Sequence, residues 1–367
     1  MNEAQLEQLA LDWLHDLGWT HIFGPDIAPD GPAPERSGYD ETILSGRLRA
    51  ALARINPTLP PTALDDAVRQ ISRAESPSLV ENNRRFHRFL TDGVDVAYLR
   101  DGREVHDKVW LMDLDDLENN DWLAVNQFTV IINKKNRRPD IVLFVNGLPL
   151  VDIELKNPED ENATILHAYN QLQTYKAEIP DLFTSNELLV IADGLAARVG
   201  ALTSGWDRFM PWRTIDGSDL YREPGDEKQS DGILQPGLET VIKGVFQRRR
   251  FLDLIHNFVV FEDDGAHIIK KVAAYHQFHA TNKALECTLS ACGIDADPGL
   301  LLARFPAMDE HNPLVIRETG PRYGAKSDHF GNRKIGVIWH TQGSGKSLLM
   351  VFFAGKIIRH PAQGNCI

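Results

Sequence analysis

The spacing of apolar residues along the chain predicts alternating helices and strands. In the first hundred residues, apolar positions three and four apart indicate helices over 1–17, over 40–55 and from about Leu64, with a Pro/Gly-rich loop over 23–38. Further on, the predicted elements are strands at 94–99, 128–132, Ile141–Val145 and Leu148–Leu155, a helix over 162–178, a strand at 187–192, helices over 238–251 and near 268–289, and a last strand and helix around a glycine-rich loop. Strands interleaved with helices are typical of an α/β fold.

Turn-forming residues become frequent between residues 213 and 237, where Gly, Asp, Ser and Pro accumulate. Such a stretch typically connects domains. The chain has 367 residues, enough for two or three domains. We therefore predict one domain over 1–230 and a second over 231–367.

Composition and charge exclude some classes of protein. No run of about 18 apolar residues is present, and residues 1–11 lack the basic flank of a signal peptide, so we expect no membrane association and a cytoplasmic location. The three cysteines show neither CxxC pairing nor a zinc-like spacing to histidine. A net charge of −13 argues against a general nucleic-acid binder, although basic clusters at 134–138 and 248–250 interrupt the acidic background.

The segment 138–156 carries the most informative pattern. Two apolar runs flank Asn146-Gly147, which is a strong signal for a β-hairpin. From Val151 onward, charged residues alternate with apolar ones, as in a strand with one buried and one polar face. The first run is apolar on both faces, which predicts a central strand.

The register of this hairpin decides which side chains meet. A two-residue turn would place Asp140 opposite Ile153, on the face away from Glu154. A three-residue loop with a bulge would instead place Asp140 opposite Asp152. In that second register four charged side chains share one face: Asp140, Asp152, Glu154 and Lys156.

Carboxylates grouped in this way suit a metal-dependent hydrolase. Asp140, Glu154 and the main-chain carbonyl of Ile153 would supply the hard oxygen ligands that Mg²⁺ prefers. Such an ion activates a bound water and stabilises the charge that builds on a phosphate, and Lys156 would orient that water. The basic residues just upstream would hold a DNA backbone: Lys134, Lys135, Arg137 and Arg138. From the pattern alone, a surface hairpin with solvated charges is an equally good interpretation.

The helix predicted after the hairpin carries two polar residues of interest. Apolar residues from Ile165 to Ile179 recur at three- and four-residue spacing, with Asn162 as the predicted N-cap. Gln171 and Tyr175 lie four residues apart and therefore on one face. From spacing alone, a core tyrosine with Gln171 as its neighbour is the simpler interpretation.

A phosphate-binding loop is indicated near the end of the sequence. A β-rich run over 334–339 precedes the glycine loop 340–347, and an apolar helical run follows it. In this context the glycines let main-chain N–H groups surround phosphates, while Lys346 reaches the β- and γ-phosphates and Ser347 holds Mg²⁺. His340 stands in place of the first glycine of the GxxxxGK[ST] pattern. The predicted ATP-binding residues of the loop are Gly343, Ser344, Gly345, Lys346 and Ser347.

The order of Pro-Asp, Glu-x-Lys and Gln-x-x-x-Tyr motifs between residues 139 and 175 resembles the PD-(D/E)xK nuclease superfamily in its RecB-like branch. The resemblance implies that Asp140, Glu154 and Lys156 are catalytic and that Gln171 and Tyr175 position DNA. Such folds often place an acidic residue on an early helix beside the metal. In this sequence Glu41 is our candidate for that acid.

Nearly the whole chain resembles the R (endonuclease and motor) subunit of type I restriction–modification enzymes. Besides the nuclease motifs, the segments 191–200, 259–265, 275–278 and 339–347 match that family in order and spacing. The glycine loop resembles that of superfamily 2 helicases, which relax the first glycine, and Gln277 resembles the glutamine with which those helicases read adenine.

This resemblance implies a fold and a function. The fold class is α/β, with a PD-(D/E)xK restriction-endonuclease-like domain followed by the truncated start of a RecA-like superfamily 2 helicase domain. The implied activity is Mg²⁺-dependent cleavage of double-stranded DNA with ATP-driven translocation, in complex with modification and specificity subunits. Because the sequence ends 20 residues after Ser347, we expect an incomplete motor that binds ATP weakly or not at all.

Three other interpretations stay open. The chain could belong to a DNA repair nuclease–helicase, which a neighbouring adenine methyltransferase gene would argue against. It could be an assembly or DNA-binding module without catalysis. It could also be a nucleotide-binding regulator in which the hairpin is incidental, an idea that gains if Asp140 and Glu154 face opposite sides.

Overall fold

The computed structural model describes residues 2–157, 164–223, 232–291, 316–317, 337–338 and 345–359. The helices in these ranges are α1 (Glu3–Asp16), α2 (Ser45–Ile55), α3 (Pro61–Ser72), α4 (Leu79–Asp92), α5 (Ile165–Glu178), α6 (Pro180–Phe183), α7 (Gly237–Val245), α8 (Arg248–Asn257), α9 (Tyr275–Ala291) and α10 (Lys346–Arg359). None of the helices described there has the length and apolar content needed to cross a bilayer.

The strands in the same ranges form one large sheet and several two-stranded ribbons. They are β1 (Thr20–Phe23), β2 (Val94–Arg100), β3 (Arg103–Val109), β4 (Trp122–Asn126), β5 (Val130–Ile132), β6 (Lys135–Arg137), β7 (Ile141–Val145), β8 (Leu148–Leu155), β9 (Leu188–Ala192), β10 (Ala197–Gly200), β11 (Tyr221–Arg222), β12 (Ile233–Leu234), β13 (Val259–Asp263), β14 (Ile268–Val272), β15 (Ile316–Arg317) and β16 (Val337–Ile338).

A mixed sheet with the order β1-β4-β7-β8-β9-β10 organises the N-terminal part of the protein. β1 and β4 run parallel, as do β8 and β9, whereas the other neighbours are antiparallel. Every residue of β7 and β8 is buried. This agrees with the prediction of a central strand for β7, whereas the charged face predicted for β8 is covered by protein as well.

Each face of the sheet packs against its own hydrophobic core. Alternate residues of a strand point to opposite faces, so Leu143 joins the core that includes α1 to α4, α7 and α8, whereas Phe144 joins the core built on α5 and α6. The helices on both faces confirm the α/β character predicted from the sequence.

The β7–β8 hairpin has a register that differs from both predicted ones. Asn146 and Gly147 both have positive φ, 54° and 78°, and form a two-residue turn. The pairing then shifts by one residue, so that Leu150 is left without a partner on β7 and Ile141 pairs with Ile153. Pro149 donates no ladder hydrogen bond, which favours a bulge at this point.

The bulge brings the first carboxylate to the face of Glu154, which a two-residue turn without a bulge would not do. Continuing the register by one residue places Asp140 opposite Glu154, rather than opposite Ile153 or Asp152. Asp140, Asp152 and Glu154 therefore lie on the same face, the one covered by α5. This arrangement counts against the interpretation in which the hairpin is incidental.

Three predicted helices have different limits in the structure. The helix predicted over 40–55 starts only at Ser45, because the Thr42 hydroxyl and the Leu44 N–H donate hydrogen bonds to the carbonyls of Asp181 and Gly147. The helix predicted over 238–251 is two helices, with Gln247 capping the second. The segment 268–289 begins as a strand, since β14 pairs with β13 in a hairpin before α9 starts.

The segment between β10 and α9 packs onto the N-terminal part. Apolar side chains of α7 and α8, such as Ile242 and Phe251, belong to the same core as α1 and β8. Trp19 illustrates the contact, because its indole N–H donates to the Phe246 carbonyl at 2.9 Å and its ring packs edge-on against Phe251. The proposed domain limit at residue 230 stays a prediction.

Candidate active site and nucleotide pocket

Three carboxylates lie together on the α5 face of the sheet. Asp140 is 7% exposed, Asp152 1% and Glu154 0%. The Asp140 side chain accepts a hydrogen bond from the main-chain N–H of Leu155 at 2.7 Å, which ties the start of β7 to the end of β8. These side chains share a face, as in the second of the two predicted registers, although Asp140 lies opposite Glu154 rather than Asp152.

Lys156 is the cation bound to this group. Its Nζ lies 2.8 Å from Glu154 Oε1 and donates to the Leu155 carbonyl at 2.9 Å. The main-chain N–H of Lys156 donates to the Ala192 carbonyl, which fixes the residue beside β9. Ile153, the predicted main-chain ligand, lies within the strand between its partners Ile141 and Val190.

Several oxygens of these carboxylates have no hydrogen-bond partner among the described residues. Within the described residues, both oxygens of Asp152 and the Oε2 of Glu154 are buried and receive no hydrogen bond. Buried charged oxygens without partners are unfavourable, so they require a proton or a bound cation. In the same part of the chain, no group of three or more His, Cys, Asp or Glu is arranged as a metal site.

Burial perturbs the acidities in the cluster. Burial raises the pKa of Asp140 to about 6, although the Leu155 N–H and the Lys156 ammonium oppose the change. Burial, and then the negative charge of Asp140, raise the pKa of Asp152 and of Glu154 well above the usual range. Perturbed acids grouped in this way are a common property of functional sites.

The predicted pair on α5 lies against the carboxylates. Tyr175 is 4% exposed, and Gln171 donates a hydrogen bond of 2.5 Å to its hydroxyl. Burial raises the pKa of Tyr175, and the neighbouring Glu154 raises it further. Helix α5 begins at Ile165 with Thr164 as its N-cap, whereas the predicted cap Asn162 lies outside the described residues.

Glu41, the acid predicted to lie on an early helix beside the metal, is not on a helix in the structure. Glu41 precedes α2, and its carboxylate accepts hydrogen bonds from the main chain and hydroxyl of Ser37. The acids whose charge acts on Asp140 are instead Glu3 and Glu7, on α1. Their four-residue spacing on a helix was visible in the sequence, but no local signal indicated that α1 packs against β4 and β8, near Asp140.

Glu7 also organises the chain beside Asp140. Its carboxylate accepts hydrogen bonds from the side chains of Asn126 at 2.7 Å and Gln127 at 2.5 Å. The Gln127 main-chain N–H donates to the Asp140 carbonyl at 2.9 Å. Glu7 therefore fixes the segment that holds Asp140 in place.

The upstream basic cluster divides into paired and exposed residues. Arg137 forms an ion pair with Glu178 at the end of α5, and Lys135 lies 3.1 Å from the same carboxylate. Lys134 and Arg138 are exposed. Lys134 occupies the tip of the β5–β6 hairpin with φ of 65°, and Arg138 lies two residues before Asp140. The exposed pair remains available to a polyanion.

The end of the glycine loop lies beside α9. Gln277 Nε2 donates to the Gly345 carbonyl at 3.1 Å, and α10 starts at the next residue, Lys346. Gly345 has φ of 76°, and a Cβ there would lie 2.3 Å from the Gln277 side chain. Of the predicted loop residues, Gly343 and Ser344 lie outside the described residues.

A cavity of about 680 Å³ opens next to this contact. Gln277, Gly345 and Ser347 line one side of it. The segment from Thr203 to Met210, after β10, and the β13–β14 hairpin line the same cavity. The two predicted nucleotide-binding segments thus face a common space of ligand size.

Comparison with known proteins agrees with these motifs. A family described as type I restriction enzyme R protein N terminus matches residues 1–208, and a family described as SWI2/SNF2 ATPase matches residues 276–367. The HindI endonuclease subunit of Haemophilus influenzae, a type I restriction enzyme, is 36% identical over the whole of this chain. The EcoprrI endonuclease subunit of Escherichia coli is 28% identical over 57% of it.

The chain spans 31% of the length of the Haemophilus relative and 61% of the Escherichia relative. The match to the R protein family nevertheless covers more than half of the chain, with the predicted nuclease motifs inside it. The resemblance inferred from the motifs is confirmed: the chain belongs to the type I restriction enzyme R protein family.

Proposed function

We propose that this chain carries the Mg²⁺-dependent nuclease of a type I restriction enzyme, with a PD-(D/E)xK fold of the RecB-like branch. Its substrate is the backbone of double-stranded DNA. The observation that supports this most directly is the excess of buried carboxylate oxygen over donors, with Lys156 as the bound cation.

The donor set fits a magnesium ion. Mg²⁺ in phosphoryl chemistry uses one or two carboxylates, keeps several waters and takes further oxygens from the substrate. Asp140 and Glu154 would supply the carboxylates. The main-chain carbonyl of Ile153 stays the proposed further ligand, and the Leu155 carbonyl already accepts a hydrogen bond from the Lys156 ammonium. When bound, the ion lowers the pKa of a water and stabilises charge on the scissile phosphate.

The surrounding residues hold this site in position. Lys156 keeps one Glu154 oxygen occupied and presents a positive charge to the phosphate. Tyr175, braced by Gln171, covers the carboxylates from α5 and excludes water from them. The exposed Lys134 and Arg138, with Arg137 behind them, would bind the DNA backbone.

The second part of the chain would begin a RecA-like ATPase that drives DNA translocation. ATP would bind in the cavity beside Gln277, with Lys346 and Ser347 at the N-terminus of α10. Modification and specificity subunits would supply the choice of DNA and most of the affinity, since the net charge of this chain is −13.

Nicking of supercoiled plasmid tests the nuclease proposal. With Mg²⁺, the chain should convert supercoiled to open-circular DNA, and EDTA or Asp140→Ala should abolish the conversion. Asp65→Asn is the control, because Asp65 is 59% exposed and far from the cluster in the fold, on α3. DNA binding without any Mg²⁺-dependent nicking by the folded wild-type chain would favour the assembly-module interpretation instead.

A further inference from the structure

A buried ion pair joins the β13–β14 hairpin to the central sheet. Lys270 on β14 and Glu187, just before β9, are both 0% exposed, and Lys270 Nζ lies 2.9 Å from Glu187 Oε2. The ammonium also donates to Asn83 Oδ1 at 3.0 Å and to the Asn186 carbonyl at 2.7 Å. A lysine has three donors, and all three are directed at the part of the chain that matches the R protein N terminus.

The carboxylate of this pair is held in its charged form. Burial would raise the pKa of Glu187, but Lys270 and His87 lower it by more. His87 Nδ1 lies 2.9 Å from the same Oε2 that contacts Lys270. Breaking such a pair leaves a buried charge without compensation, which is strongly unfavourable. The hairpin and the start of β9 are therefore expected to move together.

Two further contacts fix the hairpin to the same body. The Thr203 hydroxyl donates to the Lys270 carbonyl at 3.1 Å and accepts from the Lys270 N–H at 2.8 Å. Near the hairpin turn, Asp263 accepts from Arg84 of α4 at 2.6 Å. The hairpin is thus anchored at its turn, its middle and its buried face.

One side of the hairpin faces the cavity next to the glycine loop. Ile269, Lys270, Lys271 and Val272 of β14 line it, together with Glu262 of β13. Lys271 forms an ion pair with Glu262 across the hairpin. A polyphosphate ligand in the cavity would contact the hairpin as well as Gly345 and Ser347, because all of them line it.

The other end of the ion pair leads to the carboxylate cluster. The Glu187 N–H donates to the Leu150 carbonyl at 2.6 Å, at the bulge of β8. In the parallel β8–β9 ladder that follows, Asp152 lies opposite Leu189 and Glu154 opposite Ile191. A displacement of Glu187 is therefore transmitted to the strand that carries two of the three carboxylates.

We propose that the Lys270–Glu187 ion pair is a positioning element that couples ligand binding in the cavity to the carboxylate strand. The coupling would pass from the cavity to β14, from Lys270 on β14 to Glu187, and from Glu187 through β9 to β8. The inference rests on the proposed nucleotide site for its ligand. It adds a pair of residues that lies outside both the glycine loop and the nuclease motifs.

Hydrogen–deuterium exchange of the full chain tests the coupling. Exchange is compared with Mg²⁺ alone and with Mg²⁺ plus AMP-PNP, a non-hydrolysable ATP analogue. In the wild type, the analogue should slow exchange at 275–291 and 345–359, and also, by about 5-fold or more, at 180–192. In the double variant Lys270→Met with Glu187→Gln, which leaves no net charge in the site, the slowing at 180–192 should be lost while that at 345–359 is kept.

The outcomes separate the two proposals. Protection at 345–359 without protection at 180–192 in the wild type overturns the coupling and leaves the nucleotide site intact. No protection at 345–359 removes the nucleotide site and the coupling with it. Equal protection at 180–192 in the wild type and the double variant shows that the pair is only a structural support. Glu187→Gln alone, which keeps hydrogen-bonding atoms for Lys270 and His87, replaces the double variant if that variant fails to fold.

Discussion

Replacing Asp140 by asparagine should stabilise the metal-free protein, although it should destroy the proposed activity. Asp140 is 7% exposed, and burial raises its pKa from near 3.8 to about 6. A difference of about two in pKa corresponds to about 3 kcal/mol between the charged and neutral forms. Asparagine keeps an oxygen for the Leu155 N–H but carries no charge. At pH 8 in EDTA, Asp140→Asn should therefore raise the free energy of unfolding by up to about 3 kcal/mol.

The size of this effect depends on pH. Below about pH 4 the Asp140 carboxyl is protonated in both folded and unfolded chains, so the variant and the wild type should be nearly equal. As the pH rises through about 6, the folded wild type loses the stability that the neutral form provided. The difference between the two proteins should therefore grow between pH 4 and about 7 and then stay constant.

Urea unfolding followed by circular dichroism at pH 4, 6 and 8 measures this difference. Asp65→Asn is the matched control, because the side chains of Asp65 and of Arg49, its ion-pair partner, are both more than half exposed. This substitution should change the free energy of unfolding by less than about 0.5 kcal/mol. Mg²⁺ should then stabilise the wild type and not Asp140→Asn. An Asp140→Asn variant that is no more stable than the wild type at pH 8, or that differs by the same amount at every pH, would refute the reasoning.

Four other changes have defined outcomes. Nicking by the wild type should rise with pH through about 6, because Asp140 must be ionised to bind metal, and a pH profile flat from 5 to 8 would contradict this. Glu7→Gln should reduce nicking whereas Glu41→Gln should not, because Glu7 holds Asn126 and Gln127 beside Asp140 and Glu41 bonds Ser37 instead, and a plasmid assay of both variants decides it. Lys270→Met should lower the free energy of unfolding by about 3–5 kcal/mol in urea, because it removes the ammonium that balances the buried Glu187 charge and leaves only His87 beside it, and a loss below about 1 kcal/mol would contradict that. Gly147→Ala should cost more than about 1 kcal/mol by the same measurement, because φ is 78° and the new Cβ would lie 2.5 Å from a main-chain oxygen.

Local patterns in the sequence predicted the parts of the fold that depend on neighbouring residues. Asn146-Gly147 gave the turn because both residues accept positive φ, and the apolar run of β7 gave its burial. Gln171 and Tyr175 share a face because they lie four apart on a helix. The motifs were also sufficient to recognise the family, which the comparisons confirm.

The features that the sequence did not predict depend on contacts between segments that are distant in the chain. The bulge at Leu150 follows from Pro149, which the hairpin sequence contains, and from the Glu187 N–H that bonds the Leu150 carbonyl, which a hairpin considered alone does not show. Glu7 approaches Asp140 only because α1 packs beside β4. The segment before α9 has apolar residues that suit a helix, yet β13 offers it a strand partner, and that tertiary contact overrides the local preference.

The three carboxylates occupy positions where the same face of the sheet otherwise has apolar residues. Val142 and Phe144 on β7 and Leu189 and Ile191 on β9 surround them in the core under α5. Acids in such surroundings gain protons when no cation is present, so binding a divalent ion must release protons and restore the charge. Metal affinity and folding stability are then linked through the same buried oxygens. The metal-free chain should accordingly be least stable at the alkaline pH where it binds metal best.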